Sequence, residues 1–170
     1  MVTIKGLDDI FLKPGDWSVA DERFQIRTML GSCVSIIVWH PATRTGGMSH
    51  FLLPTRGAAA TGQVLDGRYG DESLQLILDK LKRSGVDAAQ CQGKIFGGGN
   101  MFPGQLRHGA INVGQRNGEA ARALLQQHGI PLVSECLFGI GHRQVIFDVS
   151  NGDVWAHQVK PMGQDSELED

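Results

Sequence analysis

Cysteine is scarce in this 170-residue chain: there are three, an odd count and too few for a disulfide scaffold. Free thiols in a reducing, cytoplasmic compartment are the expectation. Long apolar runs are missing too. None approaches the ~20 residues of a membrane span, and Met1 to Leu12 lacks the hydrophobic core of a secretion signal. No charge of one sign dominates: 16 Lys and Arg face 18 Asp and Glu, a formal net charge of −2, without the basic clusters that bind phosphate backbones. Nucleic acid and membrane insertion are therefore set aside. His40, His108, His128, His142 and His157 show no metal-ligand spacing. No metal or other cofactor is expected.

What is present is a globular composition, 41% apolar, of a length that fits one domain with a real core. That domain is expected over residues 1–160, followed by an acidic, disordered tail at 161–170. Glycine is abundant, 23 residues without a repeat period, which suits tight turns and close backbone contacts. Two stretches have helical periodicity. Leu74, Ile77, Leu78 and Leu81 recur at i, i+3, i+4 and i+7, with Asp71 as N-cap and Gly85 as terminator. Ala120, Ala121, Leu124 and Leu125 make a second apolar face, ended at Gly129-Ile130-Pro131; Asn117 or Asn112 caps it. Short strands are read at 17–19, 24–29, 34–39, 48–53, 94–96, 132–137, 144–149 and 154–159, the last two joined by a Ser150–Asp153 turn. Residues 55–66, rich in Gly and Ala, are either a mobile lid or a plain insertion. The sum is an α+β layered domain, a mixed β-sheet sandwich with two main helices packed on it.

The chemistry centres on Leu30-Gly31-Ser32-Cys33-Val34, a tight turn that delivers Cys33 to the head of a buried strand. A turn at 40–47 and a returning strand through His50 bring a base back toward the thiol. Ordinary core packing is the rival reading for a lone Cys beside an apolar run. Cys91 and Cys136 have no partner motif and read as packing or surface thiols; Ser32 and Ser35 are weaker nucleophiles than Cys33. Gly97-Gly98-Gly99 lacks the Lys-Ser/Thr of a phosphate loop and reads as close packing beneath the site.

These pieces, together with Lys13–Asp16, Gly47–Pro54, Tyr69–Asp71, Lys94–Phe102, Val113–Asn117 and Arg143–Val145, resemble the CheD family of chemoreceptor glutamine deamidases, in order and spacing, from about Leu12 to Val159. The resemblance implies a fold like that of the cytotoxic necrotizing factor deamidases. It also implies a cysteine hydrolase that converts receptor glutamines to glutamate through a thioester, and that also takes receptor methyl esters. Cys33 is then the nucleophile, His50 the general base and acid, and Thr28 the residue orienting His50, with the Ser32 and Cys33 amides as oxyanion donors. The partners implied are the cytoplasmic helices of methyl-accepting receptors and a CheC-type phosphatase. A non-catalytic adaptor binding the same partners is the alternative, and a thiol redox sensor at Cys33 a further one.

Overall fold

The computed structural model describes residues 6–57, 62–104 and 112–159. Nine strands and two α-helices lie among them. In chain order they are β1 (Asp8–Phe11), β2 (Trp17–Ala20), β3 (Phe24–Leu30), β4 (Val34–His40), β5 (Thr45–Ser49), α1 (Gly70–Arg83), β6 (Gln92–Gly97), α2 (Val113–Gln127), β7 (Leu132–Leu137), β8 (His142–Asp148) and β9 (Val154–Val159). They form two sheets, ordered β1-β3-β8-β9 and β2-β5-β4-β6-β7. Each is mixed: β1 runs parallel to β3 and β7 parallel to β6, while the other pairs are antiparallel. The expected α+β layered sandwich is therefore present, with two sheets.

β4 is apolar at nearly every position because both of its faces are covered. Val34, Ile36 and Val38 point to one core, shared with Leu74, Ile77 and Leu81 of α1 and Ala121 and Leu125 of α2. Cys33, Ile37 and Trp39 point to a second core between the sheets, with Ile26 and Leu30 of β3 and Val145 and Phe147 of β8. The layers are thus helices, five-stranded sheet, four-stranded sheet. No helix among the described residues is long and apolar enough to cross a membrane.

Several boundaries differ from the sequence reading. β1 precedes the first strand read from the sequence; its side chains are mostly exposed, so no apolar alternation marks it. The returning strand starts at Thr45 and ends at Ser49, not 48–53, because Gly46 and Gly47 pair with Val38 and Trp39 and β2. Beyond it only Phe51 rejoins the sheet, as an isolated bridge to Val34. The N-cap of α1 is Tyr69, without a side-chain cap; Asp71 lies inside the first turn, where it accepts from Glu72 N–H and Thr55 Oγ1. Asn112, not Asn117, caps α2, accepting from Gln115 N–H at 2.7 Å. The described ends of the 55–67 segment are tied down by Arg56 to the buried Glu72 and by Arg68 to Asp66. His108 and the tail at 161–170 lie outside the described residues.

Candidate active site

The bridge between Val34 and Phe51 continues the β4–β5 register past the end of the hairpin. That register sets Ser35 opposite His50. It puts Cys33 two positions along from Ser35, on the same face as His50 and turned toward the other sheet, the diagonal relation in which sheet residues generally stand about 7–8 Å apart. Thr28 meets His50 from β3 across the interior. Its Oγ1 lies 2.7 Å from His50 Nδ1.

The direction of that contact follows from the third partner. Thr28 Oγ1 also donates to the Leu12 carbonyl, at 2.7 Å. A hydroxyl has one proton. With it committed to Leu12, Oγ1 accepts from Nδ1–H, and the second ring nitrogen, Nε2, keeps its lone pair. The ring is thus held as a base. Burial pushes the His50 imidazole down to about 4, against the opposing pull of the Asp16 carboxylate. At neutral pH it is uncharged, and burial makes it a weaker base than a free imidazole. Burial also pushes the Cys33 thiol above its ordinary value. The resting pair is therefore thiol and neutral imidazole.

The backbone of His50 is fixed by the Lys13–Asp16 turn. Gly15 N–H donates to His50 O at 2.8 Å, and His50 N–H to Asp16 O at 3.0 Å. The turn closes on itself through Lys13 N–H and the Asp16 carboxylate. The backbone of Cys33 is fixed from the opposite side by the glycine-rich segment. Gly98 N–H donates to Cys33 O and Gly99 N–H to Gly31 O, both at 2.9 Å. Gly97 has φ +112°, and a Cβ there would stand 2.3 Å from Cys33 O. This segment does what the sequence reading assigned to it, close packing under the Cys33 loop.

Sequence reasoning missed one residue at this site. Asn117, read there as one of two alternative helix caps, is fully buried inside α2 and donates from Nδ2 to Ser32 O (3.0 Å) and Leu52 O (2.8 Å). A polar residue on the buried face of α2, flanked by Gly114 and Gly118, is the signal that apolar counting passed over.

The rival nucleophiles fare differently. Ser35 Oγ is buried without a hydrogen-bond partner among the described residues, so no substrate reaches it. The Cys91 thiol is buried and pushed up to about 11, by burial first and the Asp87 charge second. Cys136 is exposed on edge strand β7, where Arg143 Nη1 donates to its Sγ at 3.3 Å. Among the described residues neither is hydrogen-bonded to a histidine. No group of three or more potential metal ligands occurs among the described residues.

Comparison with known proteins places this architecture. The family model described as CheD chemotactic sensory transduction matches residues 52–158. Curated relatives extend the match over the site. The probable chemoreceptor glutamine deamidase CheD 2 of Albidiferax ferrireducens is 73% identical over 93% of this chain and 91% of its own length. The probable chemoreceptor glutamine deamidase CheD 1 of Chromobacterium violaceum is 42% identical over 94% and 80%. That of Pseudomonas savastanoi pv. phaseolicola is 44% identical over 93% and 89%. Spans of that length necessarily include residues 28–50. Among solved structures, the hypothetical protein YfiH of Bacillus licheniformis aligns with a TM-score of 0.43 and 16% identity over 71% of this chain and 49% of that one. A family model over most of the chain and relatives this similar across nearly its whole length lead to one conclusion: the chain belongs to the CheD family.

Proposed function

We propose that this protein hydrolyses the side-chain carboxamide of particular glutamines in methyl-accepting chemoreceptors, giving glutamate and ammonia, with Cys33 as nucleophile. The observation that carries the chemistry is the chain Leu12 O, Thr28 Oγ1, His50 Nδ1, which leaves Nε2 free to act as base. The family, and relatives named chemoreceptor glutamine deamidases, carry the substrate.

In this reading His50 Nε2 takes the Cys33 proton and the thiolate attacks the carboxamide carbon. A C–S bond forms and the carbonyl π pair moves to oxygen. The Ser32 and Cys33 amides receive that oxyanion. Collapse restores the carbonyl, breaks the C–N bond and expels ammonia with the proton from His50. Water, deprotonated by His50, then attacks the thioester; glutamate leaves and the thiol is restored. A receptor methyl ester follows the same course with methanol leaving. Thr28 positions the ring without charge, so imidazolium gains less stabilisation than a carboxylate partner provides.

The cytoplasmic helices of receptors are the partner under this proposal, and the cytoplasm is where the reaction takes place. A CheC-type phosphatase is a second partner on the ground of family alone. The test is mass-spectrometric deamidation of a receptor cytoplasmic fragment by wild type, Cys33→Ala and His50→Ala. A gain of about one mass unit per site, the exchange of NH₂ for OH, is expected with wild type only. Full conversion by Cys33→Ala moves the site elsewhere. No conversion by folded, reduced wild type favours the adaptor role.

A further inference from the structure

Asn117 uses both protons of one amide to hold two carbonyls from different parts of the site. Ser32 O precedes the nucleophile, and Leu52 O follows the base by two residues. Its own Oδ1 is buried without a partner among the described residues. A carboxamide enclosed with its acceptor end unsatisfied is poor packing. Its donor end is what the fold uses.

The geometry of the Ser32–Cys33 peptide gives that donor a role. No peptide bond among the described residues is cis. In a trans peptide the C=O and the N–H share one plane and point to opposite sides. Drawing Ser32 O toward α2 therefore turns Cys33 N–H away from the helix. The other side of Cys33 is pinned by Gly98 N–H on Cys33 O. Among the described residues no hydrogen bond takes up Cys33 N–H. An amide held in one orientation and left free is what an oxyanion donor requires, because it needs no reorganisation when charge develops.

We propose that Asn117 is a positioning residue for the oxyanion hole, locking the Ser32–Cys33 peptide so that Cys33 N–H faces the substrate oxygen and tying that plane, through Leu52 O, to the segment that bears His50. The inference rests on the reading of Cys33 as the attacking thiol. The helix supplies the anchor because Gly114 lets its first turn lie against the glycine-rich segment: a Cβ there would stand 2.5 Å from Gly98 O and Gly99 O. Asn117, one turn on, then faces the carbonyls directly.

The test compares Asn117→Ala with wild type in two assays on the full chain. One is steady-state deamidation of a receptor cytoplasmic fragment. The other is the second-order rate of Cys33 alkylation by iodoacetamide, a substitution that forms no oxyanion. The expected result is a kcat lower by about 100-fold with KM within about two-fold, and an alkylation rate within about two-fold of wild type. A purely structural role moves thermal stability and leaves kcat per folded molecule alone. Unchanged kcat, or kcat and alkylation falling together, overturns the proposal. If Asn117→Ala does not fold, Asn117→Ser, whose hydroxyl turns back to its own helix carbonyls, is read in the same way. Cys33→Ala, run in parallel, separates the two levels. Its inactivity beside an unimpaired Asn117→Ala removes this inference alone; full activity of Cys33→Ala removes the reading beneath it.

Discussion

The two walls of the site are built by different means. The His50 wall relies on side chains and a small turn: a threonine hydroxyl sets the ring, and residues 13–16 hold the backbone. The Cys33 wall relies on backbone meeting backbone, with glycines 97–99 under the loop and one asparagine above it. A hydroxyl contact tolerates small changes and tunes a base. Backbone contact at 2.3 Å of notional Cβ distance tolerates nothing larger than hydrogen. Chemistry is adjustable on one wall, and geometry is rigid on the other.

Four tests break this contrast or sharpen it. Removing the proposed base has the largest expected effect: His50→Ala should lower deamidation on the order of 10⁴-fold, measured as initial rate on a receptor fragment. Next comes the rigid wall. Gly97→Ala meets both a positive φ and the Cys33 carbonyl, and should lose on the order of 3 kcal/mol in urea unfolding. Gly85→Ala, with a similar positive φ and open space, isolates the conformational part and should lose only about 1 kcal/mol. Equal losses at the two positions would remove the case for close contact at Gly97.

The third concerns pH. The folded pKa of His50, about 4, lies below its ordinary 6.5, so the unfolded chain binds the proton more tightly. The contribution of His50 to stability is complete above pH 6.5. It is lost as pH falls from there to about 4, by on the order of 3 kcal/mol. His50→Gln should flatten that part of a stability–pH curve; an unchanged acid limb would assign the loss to other groups. The smallest effect is expected at Thr28. Thr28→Val frees the ring to take the wrong tautomer and should lower kcat by about 10- to 100-fold, with Thr28→Ser close to wild type. If Thr28→Val is neutral, the tautomer is set by something other than the Oγ1 contact.

Much of this was legible in the order of residues. The continuous apolar run of β4 announced a strand buried on both faces, and Leu74 to Leu81 announced α1. Cys33 and His50 stood out because the hairpin between them is local. What escaped had physical reasons. β1 is an exposed edge strand whose pairing is parallel to β3, and nothing in Asp8–Phe11 marks a partner that arrives later in the chain. The buried face of α2 includes Gly114, Asn117 and Gly118, so hydrophobic counting left Asn112 and Asn117 as alternative caps; Asn112 is the cap, and Asn117 faces the site. Thr28 was named by family resemblance; the hydroxyl's commitment to Leu12 O, which decides the tautomer, needed the fold.

The contacts that arm the site differ widely in sequence span, and this has a consequence for how the protein comes into being. The proposed nucleophile and base flank one hairpin, whose closure is fast because the intervening loop is short. The contact of Thr28 with His50 spans 22 residues, and those of Asn117 with Leu52 and Ser32 span 65 and 85. Under the proposed reading, the thiol and imidazole form a local pair, whereas the amide that receives the oxyanion is set only once α2, 65 to 85 residues further along the chain, has docked. Competence to cut an amide is then completed by a helix that is synthesised late.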